Sequence, residues 1–249
     1  MFSLEGKVAV VTGANTGLGQ GMAIALADAG ANLVLVGRSA PDETVEAAEK
    51  LGRKAHVIIA DLSDNKSSAS IIDESNREFG ALDILINNAG IIKRNDAIDF
   101  TEEEWDSVFD VNIRTLFFLS QAFARNRIAA KSKGKIINVA SMLSYQGGIR
   151  VPSYTASKSG VMGLTRALAN EWAAKGINVN AIAPGYFGTN NTAALQADET
   201  RNKEILSRIP AGHWGRPSDL GGAVVFLASA SSDYVHGTTL PVDGGWLSR

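Results

Sequence analysis

The chain predicts an α/β fold, a doubly wound parallel sheet of seven strands with helices on both faces. Three observations lead there. Short Val- and Ile-rich runs alternate with longer helical stretches, the runs are nearly continuous in apolar residues, and a glycine-rich turn joins the first run to the first helix. A strand that is apolar on both sides must be covered on both sides, which helices flanking a parallel sheet achieve.

The strand expectations are Val8–Val11, Leu33–Val36, Val57–Ile59, Ile84–Ile86, Ile136–Val139, Val179–Ile182 and Thr239–Val242. Helices are expected over Leu18–Ala29 and from Tyr154 to about Ala174. Thr101, with Glu104 three residues on, forms a capping box that starts another, and Pro217-Ser218-Asp219 opens the last. No repeat or linker divides the chain, so a single domain over 1–249 is expected. From Tyr186 to Trp214 the rhythm breaks into Asn190-Asn191-Thr192, a polar helical stretch and Ile209-Pro210-Ala211-Gly212. Insertions after late strands lie beside the strand carboxyl ends, so 186–214 reads as a substrate lid, the alternative being a surface helical hairpin without ligand contact.

Composition narrows the chemistry. The 249 residues are 45% hydrophobic and 20% charged, enough for a substantial core. Lysine and arginine number 24 against 26 acidic residues, so the net charge of −2 gives no long-range pull on nucleic acid or an anionic membrane. The absence of cysteine excludes disulfides and thiolate chemistry, and with only His56, His213 and His236 no metal centre is expected. The opening Met1–Lys7 lacks the basic flank and apolar core of a leader, and no apolar run approaches the ~20 residues a bilayer span needs. A cytoplasmic protein with a small-molecule partner, neither nucleic acid nor membrane, is the expectation.

The glycine turn is Thr12-Gly13-Ala14-Asn15-Thr16-Gly17-Leu18-Gly19. Gly13 permits a tight exit from the strand, Gly17 lets backbone approach a pyrophosphate, and Gly19 allows close helix packing beside amides that attract negative charge. Asp61-Leu62 after the third strand suits an adenine edge, and Asn88-Ala89-Gly90 after the fourth suits a ribose. Each also reads as an ordinary cap or turn.

Tyr154 and Lys158 stand four residues apart on one helix and so share a face. There an ammonium is expected to pull the phenol below its free pKa of about 10, giving a general acid and base near neutrality. Thirteen residues upstream, Ser141 follows the fifth strand. Asn112 interrupts an apolar helix, where a buried amide needs partners, and an internal water network would supply them.

In this order, Thr12-Gly13-x-x-x-Gly17-x-Gly19, Asp61, Asn87-Asn88-Ala89-Gly90, Asn112, Ser141, Tyr154-x-x-x-Lys158 and Pro184-Gly185 resemble the short-chain dehydrogenase/reductase family over essentially the whole chain. The segments 141–154, Ala183–Tyr186, Asn190–Thr192 and Val242–Leu247 resemble its 2-deoxy-D-gluconate 3-dehydrogenase branch. The resemblance implies a Rossmann-type fold and reversible hydride transfer at a secondary alcohol or ketone of a sugar acid, 2-deoxy-D-gluconate or 2-keto-3-deoxy-D-gluconate. It makes Tyr154 the acid and base, Lys158 its electrostatic partner and a ribose ligand, and Ser141 the holder of the substrate oxygen. Asn112 would position a water, and Gly13, Asn15, Thr16, Gly17, Leu18, Gly19, Arg38, Asp61, Leu62, Asn88, Ala89, Gly90, Pro184, Gly185 and Thr189 would contact cofactor.

The resemblance implies NAD(H). Against it, Gly37 stands where an NAD-selecting carboxylate would be, and Arg38 beside it can fork the phosphate of NADP(H), although Thr16 adds no charge in the glycine loop. Arg38 stacked on adenine would suit NAD as well. A sugar-acid carboxylate needs a cation, first Arg150 and then Arg94, while Gln146, Asn190 and Asn191 suit hydroxyls. His213 has no assigned role. The alternatives are a 3-oxoacyl carrier-protein reductase of the same family and, from another class, a dinucleotide sensor without catalysis. The family commonly pairs through the segments matching Asp219–Ala228 and Thr239–Val242, which implies a homotetramer.

Overall fold

The computed structural model describes residues 2–64 and 67–249. All seven expected strands are present: β1 Val8–Thr12, β2 Asn32–Gly37, β3 Ala55–Ile59, β4 Ile84–Asn87, β5 Gly134–Val139, β6 Ile177–Pro184 and β7 Thr239–Val242. They form one parallel sheet in the order β3-β2-β1-β4-β5-β6-β7. Chain order reverses direction between β1 and β4, so the carboxyl ends of those neighbours diverge into a crevice.

Each strand feeds two cores by alternation. In β1, Ala9 and Val11 face α1 (Gly17–Asp28) and a late helix that we number α9 (Gly221–Ala228), meeting Met22, Leu26, Val224 and Leu227. Val8 and Val10 face the opposite layer, with Ile71 and Ile72 from α3 (Ser67–Phe79), Phe123 from α5 (Leu116–Ala129) and Leu168 and Trp172 from α6 (Pro152–Trp172). Burial of each such large side chain contributes roughly 1.5–3 kcal/mol, so both faces of the sheet are needed to hold it flat between its layers. The remaining helices are α2 (Asp42–Lys50), α4 (Glu102–Phe109), α7 (Ala193–Ala197) and α8 (Glu199–Arg208).

The capping box of α4 forms as expected: Glu104 N–H donates to Thr101 Oγ1 at 3.2 Å, and Thr101 N–H donates to Glu104 Oε2 at 3.1 Å. Pro217–Leu220 makes a 3₁₀ turn that leads into α9. Asn112 departs from expectation. It lies in a π-helical turn, Asp110–Thr115, inserted between α4 and α5. Such one-turn widenings cluster at functional sites because they redirect side chains without ending the helix. The segment after β6 is bracketed by the pairing of Phe187 with Gly215 and carries α7 and α8.

Gly19 is the tightest point of this architecture. A Cβ there would stand 2.1 Å from the Gly13 carbonyl oxygen and 2.4 Å from Asn88 Nδ2. Gly19→Ala is therefore expected to lose roughly 1–3 kcal/mol in denaturant unfolding. It should also weaken dinucleotide binding by titration, because the loop can accept the methyl only by moving.

Candidate functional site

The carboxyl edge of the sheet collects most of the residues singled out from sequence. Thr12 at the end of β1 is the hub. Its hydroxyl donates to Ile86 O at 3.2 Å and accepts the amides of Asn88 and Ala89, each at 3.0 Å. Asn88 returns the contact, its Nδ2 donating to Thr12 O at 2.9 Å and Gly13 O at 3.1 Å. The Asn88 side chain thus shapes the glycine loop instead of facing the crevice. Thr12 escaped attention as more than part of a motif, although a hydroxyl just before a strand-ending glycine was the available signal.

The loop fits a dinucleotide pyrophosphate. Gly13 and Gly17 both take left-handed backbone, at φ +65° and +60°. A Cβ on Gly17 would fill the gap to Thr189 Cγ2, 3.4 Å away, so Thr189 at the start of the inserted segment lies against the loop. The first turn of α1 holds no acidic residue, and Thr16 makes no side-chain cap, which leaves its amides available to an anion. Leu62 is buried, with its carbonyl accepting from Thr115 Oγ1 at 2.6 Å, and Asp61 is exposed. Hydrogen bonds from Ser63, first its amide and then its hydroxyl, hold the Asp61 carboxyl below the usual range, with a smaller contribution from Arg38. Gly185 meets Asp243 so closely that a Cβ would lie 2.5 Å from its Cα, and Gly185 N–H donates to Val242 O.

At the second strand, the side chain of Asn15 lies over Gly37, where a Cβ would come within 2.2 Å of Asn15 Oδ1. Asn15 Nδ2 in turn donates to Ser39 O and to Ser39 Oγ. A side chain at 37 would have to displace the Asn15 amide. Arg38 and Ser39 are exposed at the rim.

The cluster of Ser141, Tyr154, Lys158 and Asn112 comes from β5, α6 and the π turn. Ser141 follows β5, its hydroxyl accepting from Leu143 N–H at 3.1 Å and hydrogen-bonding the Tyr154 phenol. Ser144, not foreseen, secures the same turn: it accepts from Ser141 N–H and donates to Lys158 O at 2.6 Å. Lys158 is buried, its Nζ donating to Val139 O at 2.6 Å and lying 5.7 Å from the Tyr154 ring centre. Burial lowers Lys158 to about 8. Tyr154 moves opposite to expectation. Burial raises its phenol above the ordinary value, opposed by the Ser141 hydrogen bond and the charge of Arg94. The Lys158 ammonium is turned to the Val139 carbonyl and is not among the groups that oppose this shift.

Asn112 is fully buried and clamps one peptide. Its Oδ1 accepts from Ile91 N–H at 2.9 Å, while Nδ2 donates to Ile91 O at 3.0 Å and Ser157 Oγ at 3.1 Å. Both amide protons are spent on protein, so this side chain does not donate to the water network expected from sequence. Gly90 sits against it, a Cβ there being 3.1 Å from Asn112 Oδ1 and 3.6 Å from Lys158 Nζ.

Of the expected substrate contacts, Arg150 is drawn aside. It is exposed, in left-handed backbone at φ +63°, and its Nε pairs with Asp96 Oδ1 at 2.9 Å. Arg94, the second choice, acts on the Tyr154 phenol and has no ion pair among the described residues. Gln146 accepts from Trp246 Nε1 at 3.3 Å. Asn190 and Asn191 are exposed on a 3₁₀ turn beside Thr189.

A family model described as enoyl-(acyl carrier protein) reductase matches residues 13–247. A 2-dehydro-3-deoxy-D-gluconate 5-dehydrogenase of Escherichia coli (strain K12) is 61% identical, covering all of this chain and 98% of that protein. An Agrobacterium tumefaciens structure assigned as a 2-deoxy-D-gluconate 3-dehydrogenase with bound NADP superposes at a TM-score of 0.95, with 59% identity over 100% of this chain and 99% of that one. A gluconate 5-dehydrogenase from Burkholderia cenocepacia J2315, in complex with NADP and tartrate, reaches 0.94 at 38% identity over 100% and 98%. With the glycine cradle, the serine, tyrosine and lysine at one sheet edge and these full-length matches, the chain belongs to the short-chain dehydrogenase/reductase family and is a nicotinamide-dependent oxidoreductase.

Proposed function

We propose that this enzyme is a sugar-acid dehydrogenase that interconverts a secondary alcohol and its ketone, with 2-keto-3-deoxy-D-gluconate or 2-deoxy-D-gluconate as the oxidised alcohol. The observation that carries the reading is Arg94, a cation without an ion-pair partner among the described residues that acts on the Tyr154 phenol. A carboxylate on the substrate answers that charge, whereas a carrier-bound acyl chain brings none to it. The names of the relatives support the same substrate class. Initial rates on a panel of sugar acids, with NAD and NADP separately and in both directions, test it; turnover confined to acyl thioesters would defeat it.

In this reading, the bound cofactor supplies or accepts the hydride. Ser141 holds the substrate oxygen, and Tyr154 Oη gives that oxygen a proton in reduction or takes it in oxidation. Lys158 would supply the charge that stabilises the phenolate once substrate and cofactor exclude water, and would hold the cofactor ribose. Asn112 fixes the backbone at Ile91 and so the wall beside Gly90. Thr189, the α1 amides, Asn15 and Arg38 hold the dinucleotide. The inserted segment from Tyr186 to Trp214 closes over the substrate. No described helix is long and apolar enough to cross a membrane. The enzyme works in the cytoplasm as a homotetramer, for which α9, apolar all round, provides a face needing cover.

The cofactor choice follows from Asn15, Gly37 and Arg38. Glycine at 37 supplies no carboxylate, and the guanidinium of Arg38 at the rim favours NADP(H) over the NAD(H) implied by the family resemblance. Arg38→Ala should cut kcat/KM with NADP by about 10–100-fold and leave the NAD value within about twofold. Parallel initial-rate measurements check both.

The two arginines make opposite predictions. Arg94→Ala should raise KM for the sugar acid by about 10–100-fold, whereas Arg150→Ala, which breaks only an exposed pair with Asp96, should change it less than about threefold.

Tyr154→Phe should lower turnover by about 10²–10⁴-fold while dinucleotide binding, followed by fluorescence, persists. With a raised phenol pKa, reduction should be favoured at neutral pH and oxidation should accelerate as pH rises. Lys158 gives a stability signature. Its folded value of about 8 lies below its ordinary value, so burying the charge is a penalty fully present below pH 8 and relieved between about 8 and 10.5. Lys158→Met should abolish turnover yet raise the melting temperature at pH 7, by an amount that shrinks as pH climbs through that window.

A further inference from the structure

The carboxyl-terminal segment closes on the lid through one indole. Trp246 is buried with Met142, Ile205 and Ile209, in a cluster that Tyr186, Leu195, Trp214 and Leu247 complete. The guanidinium of Arg208, at the end of α8, lies 4.0 Å from the Trp246 ring centre, and the Tyr186 ring lies 4.7 Å away. The segment is tied down from both sides: Ala211 N–H donates to Gly244 O at 3.0 Å, and Arg249 Nη1 donates to Ser207 O at 3.2 Å. Asp243 holds the bend, its carboxylate accepting the amides of Gly245 and Leu247, each at 2.9 Å.

The indole N–H is not spent within this cluster. It donates to Gln146 Oε1 at 3.3 Å, reaching the loop that begins at Ser141. That contact fixes the orientation of the amide. With Oε1 occupied as an acceptor, Gln146 presents Nε2, a donor with no protein partner among the described residues. An amide free to flip would offer either an acceptor or a donor, and would serve a hydroxyl or a carboxylate indifferently. Held this way, it serves oxygen acceptors: a carboxylate or a keto oxygen.

We infer that Trp246 is a positioning residue for substrate recognition: it locks Gln146 as a hydrogen-bond donor in the cleft and couples that lock to the seating of α8. The inference rests on the sugar-acid reading above and adds to it a residue at the far end of the chain. Because Arg208 and Gln146 contact the same side chain, displacement of α8 perturbs the donor, and a substrate acceptor held by Gln146 favours the seated lid.

The test is a double-mutant cycle on the full-length enzyme. Trp246→Phe keeps the apolar ring under Arg208 and removes the N–H, while Gln146→Ala removes the recipient. Each single change should raise KM for the sugar acid by about tenfold, with kcat and the KM for cofactor within about twofold. The double variant should be no worse than the poorer single one, because both remove the same contact. A merely structural role would lower the melting temperature and disturb cofactor KM, and its effects would multiply with those of Gln146→Ala; that result, or an unchanged KM in Trp246→Phe, overturns the inference. A wild-type enzyme inert toward sugar acids overturns the functional reading and the inference with it. An active wild type with independent effects overturns the positioning role alone.

Discussion

The bond between the ends of β1 and β4 is what the rest of the site depends on. Asn88 donates to Thr12 twice across the place where strand order reverses, from its backbone N–H to the hydroxyl and from its side chain to the carbonyl, and these bonds shape both walls of the crevice. A sheet of this kind separates its loops at that point, so unsatisfied backbone is unavoidable there unless side chains cross the gap. Here one hydroxyl and one amide cross it. Glycine at 13 and 19 follows from the same contact, since Asn88 occupies the volume that side chains on those residues would need.

Above that floor, the protein holds two titratable groups in forms that differ from those they prefer in water. Burial pushes the Tyr154 phenol upward and the Lys158 amine downward, so both are biased toward neutrality. The cost is borne by the fold: a buried amine bonded to the Val139 carbonyl contributes less than an apolar side chain of its size. Sites that carry chemistry commonly retain such liabilities, and the surrounding layers of Val, Ile and Leu supply the offset.

Much of this was legible in the sequence, for physical reasons that differ by element. All seven strands were found because a doubly covered strand leaves an unbroken apolar run, and the α4 start was found because Thr101 and Glu104 satisfy each other locally. The glycine loop and the Tyr154 and Lys158 spacing were readable for the same reason, being fixed within one turn or one helix. What failed depended on distant partners. The direction of the Tyr154 shift depends on its burial in the folded site, the availability of Arg150 on Asp96, and the Asn112 amide on the backbone of Ile91. The contact between Trp246 and Gln146 spans 100 residues and leaves no local pattern at all.

The π turn at Asp110–Thr115 has a consequence for how this chain tolerates length changes. A widened turn is one residue longer than the α-helical turn it replaces, and each residue of a helix carries about 100° of rotation. Deleting a single position there would let α4 and α5 fuse into one regular helix, swinging Phe123 and Leu119 away from the sheet they pack against. The segment is thus intolerant of a deletion that an exposed loop would absorb, and the surplus residue acts as a phase shifter between a helix that packs on α6 and one that anchors the core.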